Sequence, residues 1–496
     1  MRLNICVFLA FAATGAALAQ NAPRPGAQIP APALQKLEDA FLEWPLAAHD
    51  KAYGAIDGKK LHGYVSDLTA ISRKYRDQGH PQFWGRVIGT SADSDTAQWM
   101  VDKFKQFGLS DVHIQSFDLP DQWMPQSWDV TATGDGKTIH AVTAQPAYQT
   151  TATPAGGLDL EAVYLGTGSA ADFAGRDVRG KAVFIFSMPL PGSWRNTAVL
   201  EGALRAAEER GAAAVFDIVA LPGNIRTQLY PTRTNIPTFS MGMDDGYAIR
   251  DAIGKGPVKV KVSLDVKMTP GMKTGTVWGT LPGVTDETIN IIAHRDGWFE
   301  SGSDNASGVA TMVGLAEYFA KVPKEKRRRT IIFAGTSGHH NGGNASGNWL
   351  LEHKDEVFAK SALLINCEHT ATIQSYLFGE DIRMTNTSTA MLWYAGGPRR
   401  PKLQDIAVKA FHEFGVATYA NPEQAAPGGE MSRLWQHVPG VQASDYNHFF
   451  HSDQETAETV PWTGLQAITR AYAKIMDGVN TLDLKDLQRP SEAPAR

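Results

Sequence analysis

Apolar residues recur along the first part of the chain at the spacing of helices and then of a strand. In residues 33–75 and 96–107, apolar side chains occur every three or four positions, which predicts helices, and Gly108 marks the end of the second helical stretch. Residues 112–117 alternate apolar and polar side chains, which predicts a strand. This part of the chain is therefore predicted to pack helices beside a strand.

The middle of the chain, residues 156–268, changes to short apolar runs separated by glycine-rich turns and one helix rich in alanine and glutamate. This pattern predicts a compact α/β insert with a sheet of its own. The predicted strands are 160–165, 181–186, 212–219, 236–241 and 258–266, and the predicted helix is 198–210.

From Gly275 onward, buried-type strands alternate with amphipathic helices. Such alternation predicts a mixed, largely parallel sheet sandwiched by helices, so the fold class is α/β with a smaller α/β domain inserted. Ligands of these sheets bind beyond the carboxyl ends of the strands. The predicted strands are 288–293, 330–335 and 362–367, and the predicted helices are 309–322 and 345–360.

The length of 496 residues exceeds one ordinary hydrophobic core and fits two domains. We predict that the main domain is formed by residues 20–149 and 269–480, with the insert at 150–268 and a C-terminal tail at 481–496. Residues 1–19 are set apart as a signal peptide.

The N-terminus has the three parts of a secretory signal. Arg2 gives the positive start, residues 5–17 are apolar, and Ala19 ends a small-x-small cleavage site. The apolar stretch is too short to span a bilayer readily, so we expect a periplasmic or secreted mature protein without a membrane span. Cys6 would leave with the signal, and Cys367 alone can form no internal disulfide.

Charge and composition exclude several partner classes. A formal net charge of −5 and a charged fraction of 20% give no basis for binding nucleic acid. The basic run 324–329 lies between a predicted helix and a predicted strand, where we interpret it as a solvated connection. A peptide or small amide fits the sequence better as a partner, and a homodimer stays open.

Acidic and imidazole side chains follow the predicted strands. His294 ends one strand, and Asp296 could orient its ring by a hydrogen bond. Asp304 lies in a glycine-flanked loop that enters a helix, where a carboxylate can reach two cations. Phosphate binding at that helix start is the competing hypothesis, but the acidic residue disfavours it.

Three further candidates lie later in the chain. Glu368 closes the next predicted strand, while His340 and His451 occupy loops. Nitrogen and oxygen ligands placed at strand ends are typical of zinc sites. The sequence therefore predicts a site for one or two zinc ions, with His369 and His448 as supporting or structural residues.

The order of these residues resembles the zinc-dependent peptidase family 28, which includes aminopeptidases, glutamate carboxypeptidase and glutaminyl cyclase. The specific part is His294-x-Asp296 followed by Gly302-x-Asp304-Asn-x-Ser-Gly308. The insert phrase Asp177-Val-Arg-Gly-Lys-Ala-Val-Phe-Ile-Phe186, followed by Arg210-Gly-Ala-Ala-Ala-Val215, resembles the protease-associated domain.

The resemblance implies a zinc-exopeptidase fold and a division of roles. His294 and Glu368 would hold one zinc, and His340 and His451 the other. Asp304 would bridge the two ions, and Asp296 would orient a ligand as a catalytic residue.

The chain departs from the family pattern at the positions of two carboxylates. The family has Glu-Glu where this chain has His339-His340, and Asp is common where Glu368 stands. Imidazole binds zinc well, so His340 is still expected to be a ligand. The lost negative charge is expected to weaken the binding of one metal.

His339 takes the position of the family's general base. A neutral imidazole near pH 7 could accept a proton from a zinc-activated water, so we predict His339 as the catalytic base. Alternatively, His339 packs or binds metal and the site is impaired or repurposed.

The resulting hypothesis is an exported metallohydrolase of the exopeptidase type that cleaves an amide bond in peptides or peptide-like small molecules. A metal-binding or receptor-like homologue and a glutaminyl-cyclase-like acyl-transfer enzyme are the alternatives. Which end of the peptide is recognised stays open. A free amine would need nearby carboxylates, and a free carboxylate would need nearby arginines. The candidates are Glu300, Glu423 and Glu430, and Arg226, Arg233 and Arg433.

Overall fold

The structure is a computed structural model, and the residues that it describes fall within one compact unit, Trp44–Arg496. The described residues are 45–187, 201–340, 343–378, 381–388, 391–395, 400–418, 427–444 and 447–487. The predicted signal peptide, most of the C-terminal tail and Glu423 lie outside them. Within the described part, no helix is both long and apolar enough to cross a bilayer.

The strands are numbered in chain order. They are β1 (Gly85–Arg86), β2 (Ser110–Asp118), β3 (Gln122–Gly134), β4 (Lys137–His140), β5 (Gln145–Pro146), β6 (Leu158–Tyr164), β7 (Ala182–Ser187), β8 (Ala214–Val219), β9 (Thr238–Met241), β10 (Lys259–Thr269), β11 (Lys273–Leu281), β12 (Thr288–His294), β13 (Gly297–Trp298), β14 (Thr330–Thr336), β15 (Ser361–Asn366), β16 (Ile373–Phe378), β17 (Asp381–Ser388), β18 (Leu392–Ala395) and β19 (Gly440–Ser444).

The α-helices connect and cover these strands. They span Gly58–Asp77, Ser91–Gln106, Ala170–Phe173, Glu201–Glu209, Met243–Lys255, Gly308–Ala320, Ala345–Glu352, Lys354–Val357, Pro401–Glu413, Met431–Leu434, Trp462–Val479 and Leu484–Leu487. The helix predicted at 345–360 is thus two short helices that meet at His353.

The first sheet has seven strands in the order β18-β19-β15-β12-β14-β11-β2. The four central strands are parallel, and the outer ones run antiparallel to their neighbours. Successive side chains of β12 point to opposite faces: Ile291 joins one buried cluster and Ile292 another. Both faces are therefore covered, and the predicted fold class is confirmed.

The second sheet has eight strands in the order β4-β3-β10-β6-β7-β8-β9-β5. The run β6 to β9 is parallel, while β10 pairs antiparallel with both β3 and β6. Along β10, buried apolar residues alternate with exposed lysines, as the sequence pattern predicts.

The second sheet takes in more of the chain than the predicted insert, because its strands begin at Gln122. The register of β3 with β10 runs from Gln122 opposite Thr269 to Thr133 opposite Lys259. Residues 122–146, assigned from the sequence to the main domain, are thus part of this sheet. The domain boundaries themselves stay a prediction.

Candidate metal centre

The candidate ligands meet at the carboxyl edge of the first, seven-stranded sheet. His294 is the last residue of β12, the pair His339 and His340 follows β14, and Glu368 follows β15. Strands β14, β12 and β15 are adjacent and parallel. The three strand ends therefore lie side by side, as the sequence predicts.

Asp304 reaches the same edge from the loop before the helix Gly308–Ala320. The helix start packs closely against β15: a Cβ at Gly308 would lie 2.1 Å from the carbonyl oxygen of Cys367. The Asn305 side chain donates hydrogen bonds to the carbonyls of His294 and Cys367. The loop is thus attached to both neighbouring strands.

The Asp304 carboxylate lies among four imidazoles. Its Oδ2 is 2.9 Å from Nε2 of both His340 and His451. Its Oδ1 is 3.2 Å from Nε2 of His294 and 3.0 Å from Nε2 of His369. Four of the five predicted ligands are therefore in mutual contact through one carboxylate, and His369 joins them.

The distances between these nitrogen and oxygen atoms suit the coordination of a metal ion better than hydrogen bonding between the side chains. Nε2 of His340 and Nε2 of His451 lie 3.1 Å apart around the same Asp304 oxygen. Ligand atoms about 2.0–2.1 Å from zinc are roughly 3.3 Å apart in a tetrahedral site. Nε2 of His294 and Oδ1 of Asp304 are buried 3.2 Å apart, but their geometry is not that of a hydrogen bond. Such unpaired buried polar atoms are costly, and a cation would satisfy them.

A second group forms beside the first. Ligand atoms of His294, His339 and Glu368 lie within 4.8 Å of one another. The rings of His294 and His339 stack with centroids 4.2 Å apart and planes inclined by 12°, and Nε2 of His339 is 4.0 Å from Oε1 of Glu368. The structure thus brings Glu368 into the site next to His339.

The neighbouring backbone fixes Glu368 closely. Its Oε2 accepts a hydrogen bond from the Asn366 side chain at 2.7 Å. On the other side lies Gly429, where a Cβ would come within 1.6 Å of Oε2. No side chain larger than hydrogen fits between them.

Asp296 acts on the backbone more than on His294. Its carboxylate accepts the backbone N–H groups of Gly338, His339 and His340 at 3.0, 3.2 and 2.9 Å. Nδ1 of His294 instead lies 3.2 Å from the Asp296 carbonyl oxygen. The Asp296 carboxylate lies 3.8 Å from the same ring nitrogen while it holds the loop after β14, and its orienting role stays a prediction.

Glu455 is not among the residues predicted from the sequence, and it joins two predicted ligands. Its carboxylate accepts the backbone N–H of Asp304 at 2.6 Å and the backbone N–H of His451 at 2.8 Å. Its position four residues after His451 was the available signal, but the contact with Asp304 depends on the fold. Burial and the nearby charge of Asp304 raise the pKa of Glu455 to about 8.

The charges of the centre are strongly coupled. Burial alone would raise the pKa of Asp304, but the charges of His340 and His369 hold it well below its usual range. Burial lowers the pKa of His451 to about 3 and that of His339 to about 3. These two rings are therefore neutral near pH 7 and keep a lone pair for a cation or a proton. At a pKa of about 3, His339 is a weak base for the catalytic role predicted from the sequence.

Residues from a loop of the second sheet and from β13 cover the ligands. The Tyr230 ring lies 4.9 Å from the His451 ring, and the Gln228 backbone N–H donates to the His451 carbonyl at 2.9 Å. The Trp298 ring lies 4.7 Å from that of His340. This aromatic cover limits the access of water to the ligand rings.

The residues considered for recognising a peptide end have different surroundings. Arg226 donates to the carbonyls of Pro81 and Val142, and Arg433 is bonded to Asn348. Arg233 is exposed.

Of the carboxylates considered, Glu300 pairs with Arg73 at 2.6 Å. Glu430 is buried and accepts a hydrogen bond from Thr336 at the end of β14. Burial raises the pKa of Glu430 to about 7, against the effect of the His294 charge.

Comparison with known proteins agrees with this geometry. The model of peptidase family M28 matches residues 276–476. The aminopeptidase YwaD of Bacillus subtilis (strain 168) is 22% identical over 389 residues, which cover 76% of this chain and 74% of that protein.

Two solved structures share the fold at low identity. A zinc aminopeptidase from Bacillus subtilis, BSAP, has a TM-score of 0.63 at 17% identity and covers 85% of this chain and 94% of its own. A peptidase M28 precursor from Shewanella amazonensis SB2B has a TM-score of 0.64 at 17% identity, with 87% and 97% covered.

Proposed function

We propose that this chain, whose residues 276–476 match the model of peptidase family M28, is an exported zinc aminopeptidase. It would release the first residue of a peptide or a peptide-like amide. The arrangement of His294, His340, His369 and His451 around the Asp304 carboxylate carries the proposal.

The residues present fit the metal chemistry of such an enzyme. Zinc, when bound, would polarise the scissile carbonyl and make water acidic enough to lose a proton near neutral pH. Asp304, His340 and His451 would hold one ion, and His294 and Glu368 would face a second. Asp304 stays ionised and His451 neutral at that pH, as ligation requires.

The protein residues also position the ligands and transfer the proton. Asp296 and Glu455 accept five backbone N–H groups between them, which fixes the loops that carry His340, Asp304 and His451. Glu430 titrates near neutral pH and can exchange a proton there. His339 has a neutral ring at the same edge of the sheet.

Recognition of the amino end is supported by two observations. YwaD and BSAP are named aminopeptidases. Two of the three arginines considered for a C-terminal carboxylate, Arg226 and Arg433, donate to other groups of the protein.

The proposed location is the periplasm or the extracellular space. It is supported by the sequence of residues 1–19, with a positive start, an apolar stretch and a small-x-small site. Expression of the full chain with N-terminal sequencing of the exported product tests it, and Gln20 is the expected first residue. An unprocessed product that stays in the cytoplasm would contradict this location.

The activity is tested with matched peptides. The zinc-loaded protein is incubated with short peptides that have a free or an acetylated amino end and a free or an amidated carboxyl end. We expect release of the first residue only where the amine is free, with loss of release on chelation and in Asp304→Ala.

Two outcomes would contradict the proposal. Equal cleavage of acetylated peptides would contradict recognition of the amino end. A metal-loaded protein that is inactive on every peptide would favour the non-catalytic homologue, and a product lighter by ammonia from an N-terminal glutamine would favour cyclisation.

A further inference from the structure

The metal centre has two histidines where two carboxylates are the family pattern, and the structure separates their roles. We propose that His339 is a metal ligand, which completes a second metal position with His294 and Glu368. This inference rests on the proposed function and adds to it the ligand set of the second ion.

The first position is complete without His339. Asp304 Oδ2, His340 Nε2 and His451 Nε2 form a triangle with sides of 2.9, 2.9 and 3.1 Å. Two imidazoles and one carboxylate with an open fourth place are a ligand set of catalytic zinc sites. The first metal therefore needs no further residue.

The second position lacks a ligand if His339 is left out. His294 and Glu368 supply two atoms, and the third would have to be Oδ1 of Asp304. That oxygen already meets Nε2 of His369 at 3.0 Å as well as Nε2 of His294. A cation there would have to share it with a neighbouring imidazole.

His339 lies next to both His294 and Glu368 and can provide the missing ligand atom. Its ring stacks on that of His294, and its Nε2 faces Oε1 of Glu368 at 4.0 Å. This separation is longer than the roughly 3.3 Å of a closed tetrahedral site, so a bound ion would have to draw the His339 ring slightly towards Glu368. The set of His294, His339 and Glu368 then repeats the two imidazoles and one carboxylate of the first position.

The surroundings hold His339 in this place. Its backbone N–H is bonded to Asp296 Oδ1, and only 16% of its side chain is exposed. A ring nitrogen that binds a metal cannot accept a proton from water, so His339 would not be the catalytic base. At this position the family has a glutamate that accepts a proton, whereas His339 would bind a metal ion.

Metal counting separates a ligand from a base without any use of turnover. Cobalt(II) is titrated into the metal-free full-length protein and followed by visible absorption and calorimetry. We compare the parent protein with His339→Ala, His339→Gln and His339→Cys. Cysteine binds zinc and cobalt, whereas alanine and glutamine remove the strong nitrogen ligand.

We expect two ions in the parent and in His339→Cys. In His339→Ala and His339→Gln one ion keeps its affinity, and the Kd of the other rises at least tenfold. His353→Ala, which changes a histidine stacked on Trp349, is the matched control and should bind two ions.

Two ions bound by His339→Ala and His339→Gln with the affinities of the parent would overturn the proposal. So would a parent that binds one ion whose affinity these changes leave unaltered. Circular dichroism of the metal-free proteins shows whether each variant folds, and the glutamine variant serves if alanine does not. Two ions bound by a protein that cleaves no peptide would refute the proposed function and leave this assignment intact.

Discussion

The carboxylate of Glu455 accepts the backbone N–H of Asp304 at 2.6 Å, across 151 positions of the chain. Its other oxygen accepts the N–H of His451. One buried side chain thus sets the distance between two candidate ligands that come from different loops.

Replacement of Glu455 by alanine should damage both stability and metal binding. Two buried N–H groups would lose their acceptor, at about 1–3 kcal/mol each. We expect Glu455→Ala to lower the free energy of unfolding by about 2–5 kcal/mol in urea titrations and to weaken metal binding at least about tenfold. Glu458→Ala, an exposed residue of the same loop, is the control and should change neither. Equal behaviour of the two variants would refute the positioning role of Glu455.

A methyl group at Gly429 should disable the metal position at Glu368. The residue has φ of 58°, and its Cβ would lie 1.6 Å from Glu368 Oε2, so the carboxylate must move. Gly343→Ala is the matched control, since Gly343 has φ of 68° and no heavy atom within 4 Å of a built Cβ.

Both glycine substitutions carry the backbone strain of about 1 kcal/mol, but only Gly429→Ala should lose one metal in a cobalt titration. Retention of two ions by Gly429→Ala would contradict the close contact with Glu368.

The metal-free protein should lose stability between about pH 4.5 and pH 7 because of Glu430. Its pKa is raised from 4.5 to about 7 in the folded state, so the contribution is fully present below pH 4.5 and is lost as the pH rises through 7. The difference of about 2.5 pKa units corresponds to about 3 kcal/mol.

Glu430→Gln should therefore flatten the pH dependence of the free energy of unfolding in urea titrations with a chelator present. Other titrating groups cancel when the parent and the variant are subtracted. An unchanged slope would mean that Glu430 is ionised throughout this range.

The buried ion pair of Asp93 and Arg295 should stabilise the fold at the end of β12. Arg295 follows His294 directly, and its guanidinium donates to Asp93 Oδ1 at 2.6 Å. Asp93→Ala would leave a buried charge unpaired, at a cost of about 3–5 kcal/mol.

We expect thermal and urea unfolding to report that loss, and Asp93→Ala/Arg295→Met to recover part of it. The control is Asp95→Ala, which removes a surface pair with Lys74 worth about 0–1 kcal/mol. A double variant no more stable than Asp93→Ala would argue against the unpaired charge as the cause.

The sequence predicts the parts of the centre that follow from strand order. His294 ends an apolar run, and Glu368 ends another, so their meeting at one edge follows from the topology of a parallel sheet. Asp304 is predictable because glycines flank it before an apolar helix.

Other contacts depend on loop conformations that no local pattern encodes. The approach of His369 to Asp304 requires a backbone φ of 48°, and that of Glu455 joins distant segments. The start of the second sheet at Gln122 was missed because β3 is completed only by its pairing with β10, far along the chain. Contacts between distant segments thus determine the features of the fold that local sequence periodicity does not predict.

The hydrogen bond from Gln228 to the carbonyl of His451 lies beside a bridge between Thr227 and Ser452. The loop that carries His451 is therefore hydrogen-bonded to the segment between β8 and β9 of the second sheet. Exchanging the second sheet for that of a relative, as a route to new substrate preferences, would then alter metal affinity as well. Metal retention is therefore expected to depend on both sheets of this molecule.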